Sequence, residues 1–408
     1  MTRQEITKAL SRSKTLAGTA LLLLLLVGTA AGQFSFADMR LPELRLAILR
    51  VPGDYPTIQS AINAADQGDL ILVEPGTYQP FYMWEQHLTI RGIRGNDGEL
   101  PIISGRNSPG QAGITAIGGS LVLGLFQIHG CRNKFGAGML AWDCKIHISD
   151  CHFDNNVAYM DSYGSGQGGA IYFNSNSWDQ STIKRCNFVK NGAADGEGGA
   201  VYCADGFLHV GECQFINNNA RSGGAIYAQS GNYVVESCWF EDNRAADGGG
   251  VRLVGRTGMM LMRCHFYANR ANYGGGIFAG SLDRREGPPP PRSRHIIVPE
   301  QACTIVECFF DLNDGSLEGG ALLLAGPDMS IWNCLIFHGR HTRDGSTAIS
   351  FRNNTLCPRC QYSMWDTWLH GNPGRQIVGY YLYGSGNVIE FDDCDGAGPE
   401  SIPDRPGS

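Results

Sequence analysis

One position in a repeated phrase is held by Tyr172, Tyr202, Tyr227, Arg252, Phe278 and Leu323. Each follows a Gly-Gly-(Ala/Gly)-(Ile/Val/Leu) unit, and the units open at Gly168, Gly198, Gly223, Gly248, Gly274 and Gly319. The Ile, Val or Leu is the natural inward residue of a strand, so alternation turns the next side chain outward. Aromatic rings and a guanidinium in one outward stripe could stack on the flat apolar faces of sugar rings. A self-supporting aromatic ladder, or a stripe covered by loops, fits the same residues. Near the Gly-Gly corners lie Asp161, Asp195, Glu197, Asp247 and Glu318. They could hold Ca2+ or accept hydrogen bonds from sugar hydroxyls. A solvated acidic corner is the alternative, and no metal site is assigned.

The elements that must position these residues are repeats. Six times an apolar residue leads to Cys-x-Phe-x-x-Asn and then to the Gly-Gly unit. The Phe/Asn pairs are Phe153/Asn156, Phe188/Asn191, Phe215/Asn218, Phe240/Asn243, Phe266/Asn269 and Phe310/Asn313. The preceding Cys recurs roughly every 26 residues, apart from two longer intervals before Cys186 and Cys308. Such a unit is too short and too rich in Gly for a helical repeat. Cys and Phe sit two apart, on one face of a strand. The apolar residue three before each Cys (Ile148, Ile183, Val210, Val235, Leu261, Ile305, Ile331) is out of phase with that face. The slip predicts a bend between two short strands. The Gly pair predicts a second corner with positive φ. Short strands joined by corners make one coil of a parallel β-helix, and stacked coils lie ~4.8 Å apart. Cys, Phe and Asn then become ladders, with Asn expected at a corner that tolerates left-handed backbone. The first coil read this way is Leu123–Met139, with Phe126 and Ile128 in the Cys and Phe places.

Val51–Tyr78 reads as a cap. Pro56 and Thr57 open a short amphipathic helix lined by Ile58, Ala61, Ile62 and Ala65; Leu70–Val73 is a buried strand. A solenoid needs its open apolar end covered. This segment resembles the N-terminal signature of the right-handed parallel β-helix, or pectate-lyase-like, superfamily. The paired Gly-Gly-Ala-Ile and Phe-x-x-Asn motifs resemble the repeat of polymorphic outer membrane proteins. The resemblance covers roughly Val51 to Phe351 and implies an all-β solenoid. It implies little about activity, because the fold hosts lyases, hydrolases, epimerases and non-enzymatic adhesins.

The catalytic sets of those enzymes are not assembled in this sequence. Polygalacturonase-like hydrolases carry Asn-Thr-Asp, Asp-Asp, His-Gly and Arg-Ile-Lys on successive coils. The one Asp-Asp here is Asp392-Asp393, and His129-Gly130, His338-Gly339 and His370-Gly371 stand without the partners. A pectate lyase needs acidic Ca2+ ligands facing an Arg or Lys base. No catalytic residue is assigned. Polymorphic outer membrane proteins end in a membrane barrel, whereas the residues Asp392–Ser408 are polar and do not alternate. Asp393-Cys394-Asp395-Gly396 resembles a calcium loop only in part.

Arg3, Lys8, Arg12 and Lys14 precede the Leu-rich run Leu16–Val27, and Ala30-Ala31-Gly32 follows. Residues 1–32 read as a secretory signal peptide, with no membrane span expected after its cleavage. The expected order is then a linker at 33–50, the β-helix at 51–356 with its cap at 51–78, and an irregular cover and tail at 357–408. An insertion at 281–301 carries Arg284, Arg285, Arg292, Arg294 and a Pro288–Pro291 run, and could meet an acidic polysaccharide. The chain has 408 residues, 43% of them hydrophobic, with 55 Gly and a net charge of −7. That charge leaves no basic footprint for nucleic acid. Fourteen Cys in an exported chain invite disulfides. Adjacent ladder Cys would lie within disulfide range, and buried free thiols fit equally. Cys357-Pro-Arg-Cys360 is a lone CxxC, read first as a local disulfide. The expectation is a monomeric secreted or cell-surface β-helix that binds a polysaccharide, a cell-surface glycan or another surface without catalysis. A polysaccharide lyase or hydrolase and a structural envelope protein are the alternatives.

Overall fold

The computed structural model describes residues 46–280, apart from 163, 177–178 and 256. Beyond these it describes 302–325, 329–339, 346–351, 362–370, 375–378 and 388–389. The signal peptide, the 281–301 insertion, Cys357–Cys360 and the tail from Asp392 lie outside the described residues.

One coil shows how the repeat folds. Ser181–Lys184 is a strand whose Ile183 points inward. Arg185 then takes left-handed backbone (φ 51°), turning the chain so that Cys186 and Phe188 both face the core. The strand Asn187–Val189 ends at Lys190 (φ 54°), a second left-handed bend. An arm, Gly192–Glu197, leads to Gly198 (φ 67°) and Gly199. Val201–Asp205 follows, and the next coil begins at Phe207. The phase slip before Cys is therefore a single left-handed residue. Asp150, Glu212, Ser237, Arg263, Glu307 and Asn333 repeat it.

Stacking these coils makes a right-handed parallel β-helix. Among the described residues sheet 1 has 12 strands, from Ile48–Val51 to Tyr362–Trp365. Among the same residues sheet 2 has 12 strands and carries the Cys-x-Phe segments, and sheet 3 has 11 and carries the residues after Gly-Gly. Strands at 132–133, 157–158, 192–197 and 219–222 form a smaller sheet along the arm. Pairing is parallel throughout these sheets, and Ile128, Phe153 and Phe188 share one column, as the repeat predicts. Coils also stack ahead of Leu123–Met139. Thr77–Tyr78 and Ile102–Ser104 are the first strands of sheet 2, where the motif is too degraded to read. Ile48–Val51 already pairs with Leu70–Val73.

Two ladders fill the core. Phe153, Phe188, Phe215, Phe240, Phe266 and Phe310 stack face to face, with centroids 4.5 to 5.1 Å apart. Each such pair contributes about 0.5–1.5 kcal/mol beyond its area burial. The Asn ladder differs from the sequence expectation. The left-handed corner belongs to the residue before it (Asn155, Lys190, Asn217, Asp242, Ala268, Leu312), and the Asn itself is buried. Asn191 Nδ2 donates to Phe153 O at 2.9 Å and to Asn218 Oδ1 at 3.1 Å. The Asn191 N–H donates to the same Asn218 oxygen at 2.9 Å. The pattern repeats from Asn156 to Asn313. A turn inside the core leaves backbone groups that water cannot reach, and the amide satisfies them.

The helix α1 (Ile58–Ala64) covers the first coil, burying Ile58, Ala61 and Ile62. Thr57 caps it by accepting from the Ser60 N–H, and Ser60 Oγ accepts from the Thr57 N–H. Its outer face closes the edge of sheet 3. Gln59 Oε1 accepts from the Tyr82 N–H at 2.9 Å, and Gln59 Nε2 donates to Tyr82 O at 3.1 Å. An edge strand is thus paired instead of left open.

Candidate functional site

The aromatic stripe alternates with the inward residues of sheet 3. Tyr172 lies between inward Ile171 and Phe173, and its column runs through Tyr82, Thr115, Leu140, Tyr172, Tyr202 and Tyr227. It then continues to Arg252, Phe278 and Leu323. Accessibility is the difference. Tyr172, Tyr202, Arg252 and Phe278 are buried, Tyr202 at 4% exposure, and Tyr227 is half-buried. Tyr172, Tyr202 and Tyr227 stack on one another with centroids 5.2 Å apart and planes within 12°. The guanidinium of Arg252 lies over the Phe278 ring, 3.7 Å from its centroid. In-register coils at the inter-strand spacing bring planar groups into mutual contact, so each ring face is used by its neighbour. A sugar needs a free face. Burial also holds the Tyr172 and Tyr202 phenols above their ordinary pKa. Such phenols stay neutral and serve poorly as general bases.

The acidic residues divide. Glu197, Asp247 and Glu318 share one column along the arm, with Ser222 and Tyr273 between them. Asp161 instead pairs with Lys134 at 2.6 Å, and Asp195 is exposed. The three carboxylates of the column stand two coils apart, roughly 9–10 Å at the spacing of parallel strands. Among the described residues no three His, Cys, Asp or Glu side chains gather closely enough to hold a metal. Glu318 is buried, and its Oε1 accepts from Ser350 Oγ at 2.6 Å. Burial pushes the Asp247 carboxyl up, against the lowering pull of Arg252 and Arg221.

The open ring faces lie elsewhere on the same sheet. Tyr82 and Trp84, on Phe81–Trp84, are 60% and 62% exposed, and Trp142 is 46% exposed. Trp84, Ile117 and Trp142 form one column beside that of Tyr82, Thr115 and Leu140. Inward Phe81 and Met83 fix the strand, and Gln59 of α1 fixes its edge. Among the described residues no ring packs on Tyr82 or Trp84, while Trp142 stacks on Tyr172 at 5.9 Å. The platform therefore begins in solvent and ends in the closed ladder. Its residues sit outside the Gly-Gly phrase. Their sequence signal is alternation in Phe81-Tyr82-Met83-Trp84 and Met139-Leu140-Ala141-Trp142, with an aromatic residue in the outward phase.

The Chlamydia polymorphic membrane protein repeat matches residues 150–174 and 212–229. The chain is a right-handed parallel β-helix carrying that repeat. No curated protein matches it. Among solved structures, ORF18 of Geobacillus virus E2 is similar at 15% identity and a TM-score of 0.49, over 79% of this chain. This chain spans 62% of the length of that protein. The mannuronan C-5 epimerase A-module of Azotobacter vinelandii is 13% identical with a TM-score of 0.46, over 82% of this chain and 95% of its own. An alginate lyase from Paenibacillus sp. is 13% identical with a TM-score of 0.41, over 80% and 96%. Likeness at this level concerns the fold alone. Among the described residues no helix is long and apolar enough to cross a membrane.

Proposed function

We propose that this protein is an exported, non-catalytic β-helix of the cell envelope or extracellular space that binds polysaccharide on the outer face of sheet 3. The observation that carries the reading is the platform of Tyr82, Trp84 and Trp142, exposed in register on a rigid sheet. Soluble proteins rarely leave two Trp and a Tyr open on one flat face without a ligand for it. Amphipathic rings suit sugars, which present an apolar face and hydroxyl edges. The buried Tyr ladder holds the end of the platform in place. Export is supported by the leader-like residues 1–32 and by the match of residues 150–174 and 212–229 to a polymorphic membrane protein repeat.

The test is a polysaccharide panel on the mature protein, scoring binding and product release together, with and without Ca2+. Binding without release, weakened in Trp84→Ala/Trp142→Ala, supports the reading. Calcium-dependent release of unsaturated products would make the protein a lyase. Absence of binding to any polysaccharide would leave a structural envelope role.

A further inference from the structure

A second aromatic tract lies on a different face. In the Cys-x-Phe phrase the middle residue points outward on sheet 2, and along the later coils this column reads Trp239, His265, Phe309, Leu335, Trp368. Trp239, His265, Leu335 and Trp368 are exposed, and Phe309 is half-buried. The row closes only at its start, where Trp239 stacks on His265 with centroids 5.1 Å and planes 20° apart. His265 is tilted 41° to Phe309, and Phe309 is tilted 49° to Phe337 of the next column. The tilts leave parts of the ring faces to solvent.

The adjoining column decides what could lie here. It interleaves carboxylates with the rings: Glu241, Tyr267, Asp311, Phe337 and His370 are in register. Glu241 Oε2 accepts from Trp239 Nε1 at 2.8 Å, and Asp311 Oδ1 meets His338 Nδ1 at 2.9 Å. An apolar protein face or a lipid surface laid over this strip would take both carboxylates out of water, at a desolvation cost of several kcal/mol per ion. A polyhydroxylated ligand would stack on the rings and donate hydroxyl hydrogens to those oxygens.

From this alternation of open rings and hydrogen-bond acceptors, we propose that the sheet 2 face binds a second polysaccharide strand, making the solenoid a bivalent cross-linker. The inference rests on the platform reading for its first arm only. The two tracts occupy different faces and different coils of one continuous rod. A single short glycan cannot reach both, and two chains can be held at once. Avidity on a polysaccharide surface would then exceed the affinity of either tract.

The experiment uses beads coated with mixed-linkage β-glucan, neutral mannan or alginate. Bead binding and bead aggregation are scored separately on the mature full chain. Wild type is expected to bind one coating and aggregate those beads. Trp239→Ala/Trp368→Ala is expected to keep binding and lose aggregation at least tenfold. Trp84→Ala/Trp142→Ala is expected to bind more weakly and to lose aggregation as well, and the quadruple variant to lose both. Because Trp239 stacks on His265, Glu241→Gln/Asp311→Asn serves as a milder second variant. Retained aggregation in both sheet 2 variants overturns the inference. Wild-type binding without aggregation also overturns it and leaves the platform standing. A wild type that binds no coating removes both.

Discussion

Tyr202 lies on Tyr227 with ring centroids 5.2 Å apart and planes 7° apart. This pair explains why the most regular aromatic stripe is not the open one. Parallel coils in register bring identical rings to contact distance, so regularity favours closure. Accessible faces arise where the column breaks, as it does at Thr115 and Leu140 between Tyr82 and Tyr172.

The distinction predicts opposite outcomes for two substitutions. Trp84→Ala should weaken polysaccharide binding by about 1–2 kcal/mol, roughly 5–30-fold, with little change in Tm. Tyr202→Ala removes a ring stacked on both sides and should mainly lower stability, by about 3–5 kcal/mol. Thermal melts and binding isotherms on both variants check this.

The buried amide ladder should be intolerant. Asn218 Oδ1 accepts from the N–H and Nδ2 of Asn191, and its Nδ2 donates to Phe188 O and Asn243 Oδ1. Asn218→Ala leaves several buried groups unpaired at about 1–3 kcal/mol each, so a loss of at least 3 kcal/mol is expected. The shift in the denaturant midpoint measures it.

Two nearby glycines should behave differently. A Cβ at Gly199 would meet Gly224 O at 2.1 Å, whereas one at Gly192 would have its nearest atom, Asn219 O, at 3.6 Å. Gly199→Ala should fail to accumulate as folded protein, and Gly192→Ala should fold with a Tm within a few degrees of wild type. Soluble yield and circular dichroism decide it.

The thiols give a pH dependence. Burial pushes Cys131, Cys144 and Cys303 up to about 12 from an ordinary value of 9.0. The folded state keeps these protons where the unfolded state releases them. Their contribution to stability is therefore full below pH 9 and is lost as pH rises from about 9 to about 12. Unfolding titrations across that range should show the decline. At pH 8 these thiols should resist an aromatic disulfide reagent until the protein unfolds.

Much of this was legible in the sequence. The Cys and Phe columns, the bend before Cys and the positive φ at the first Gly all follow from residue types at fixed offsets. The fate of Asn156 and its equivalents was not, because an Asn suits a left-handed corner and a buried amide network equally well. Nor was the accessible surface. Tyr82, Trp84 and Trp142 lie outside the motif, and Trp239 hides inside it as the variable residue between Cys238 and Phe240. Whether an outward ring is open depends on its neighbours one coil away, which requires knowing the register between coils.

The central claim is that the platform, and not the tyrosine ladder, meets the ligand. Hydroxyl-radical footprinting read by mass spectrometry tests it directly, using the polysaccharide that binds in the panel. Protection at Tyr82, Trp84 and Trp142, with Tyr172 and Tyr202 unreactive in both states, is the expected result. Undiminished oxidation of Trp84 and Trp142 under saturating polysaccharide would contradict it.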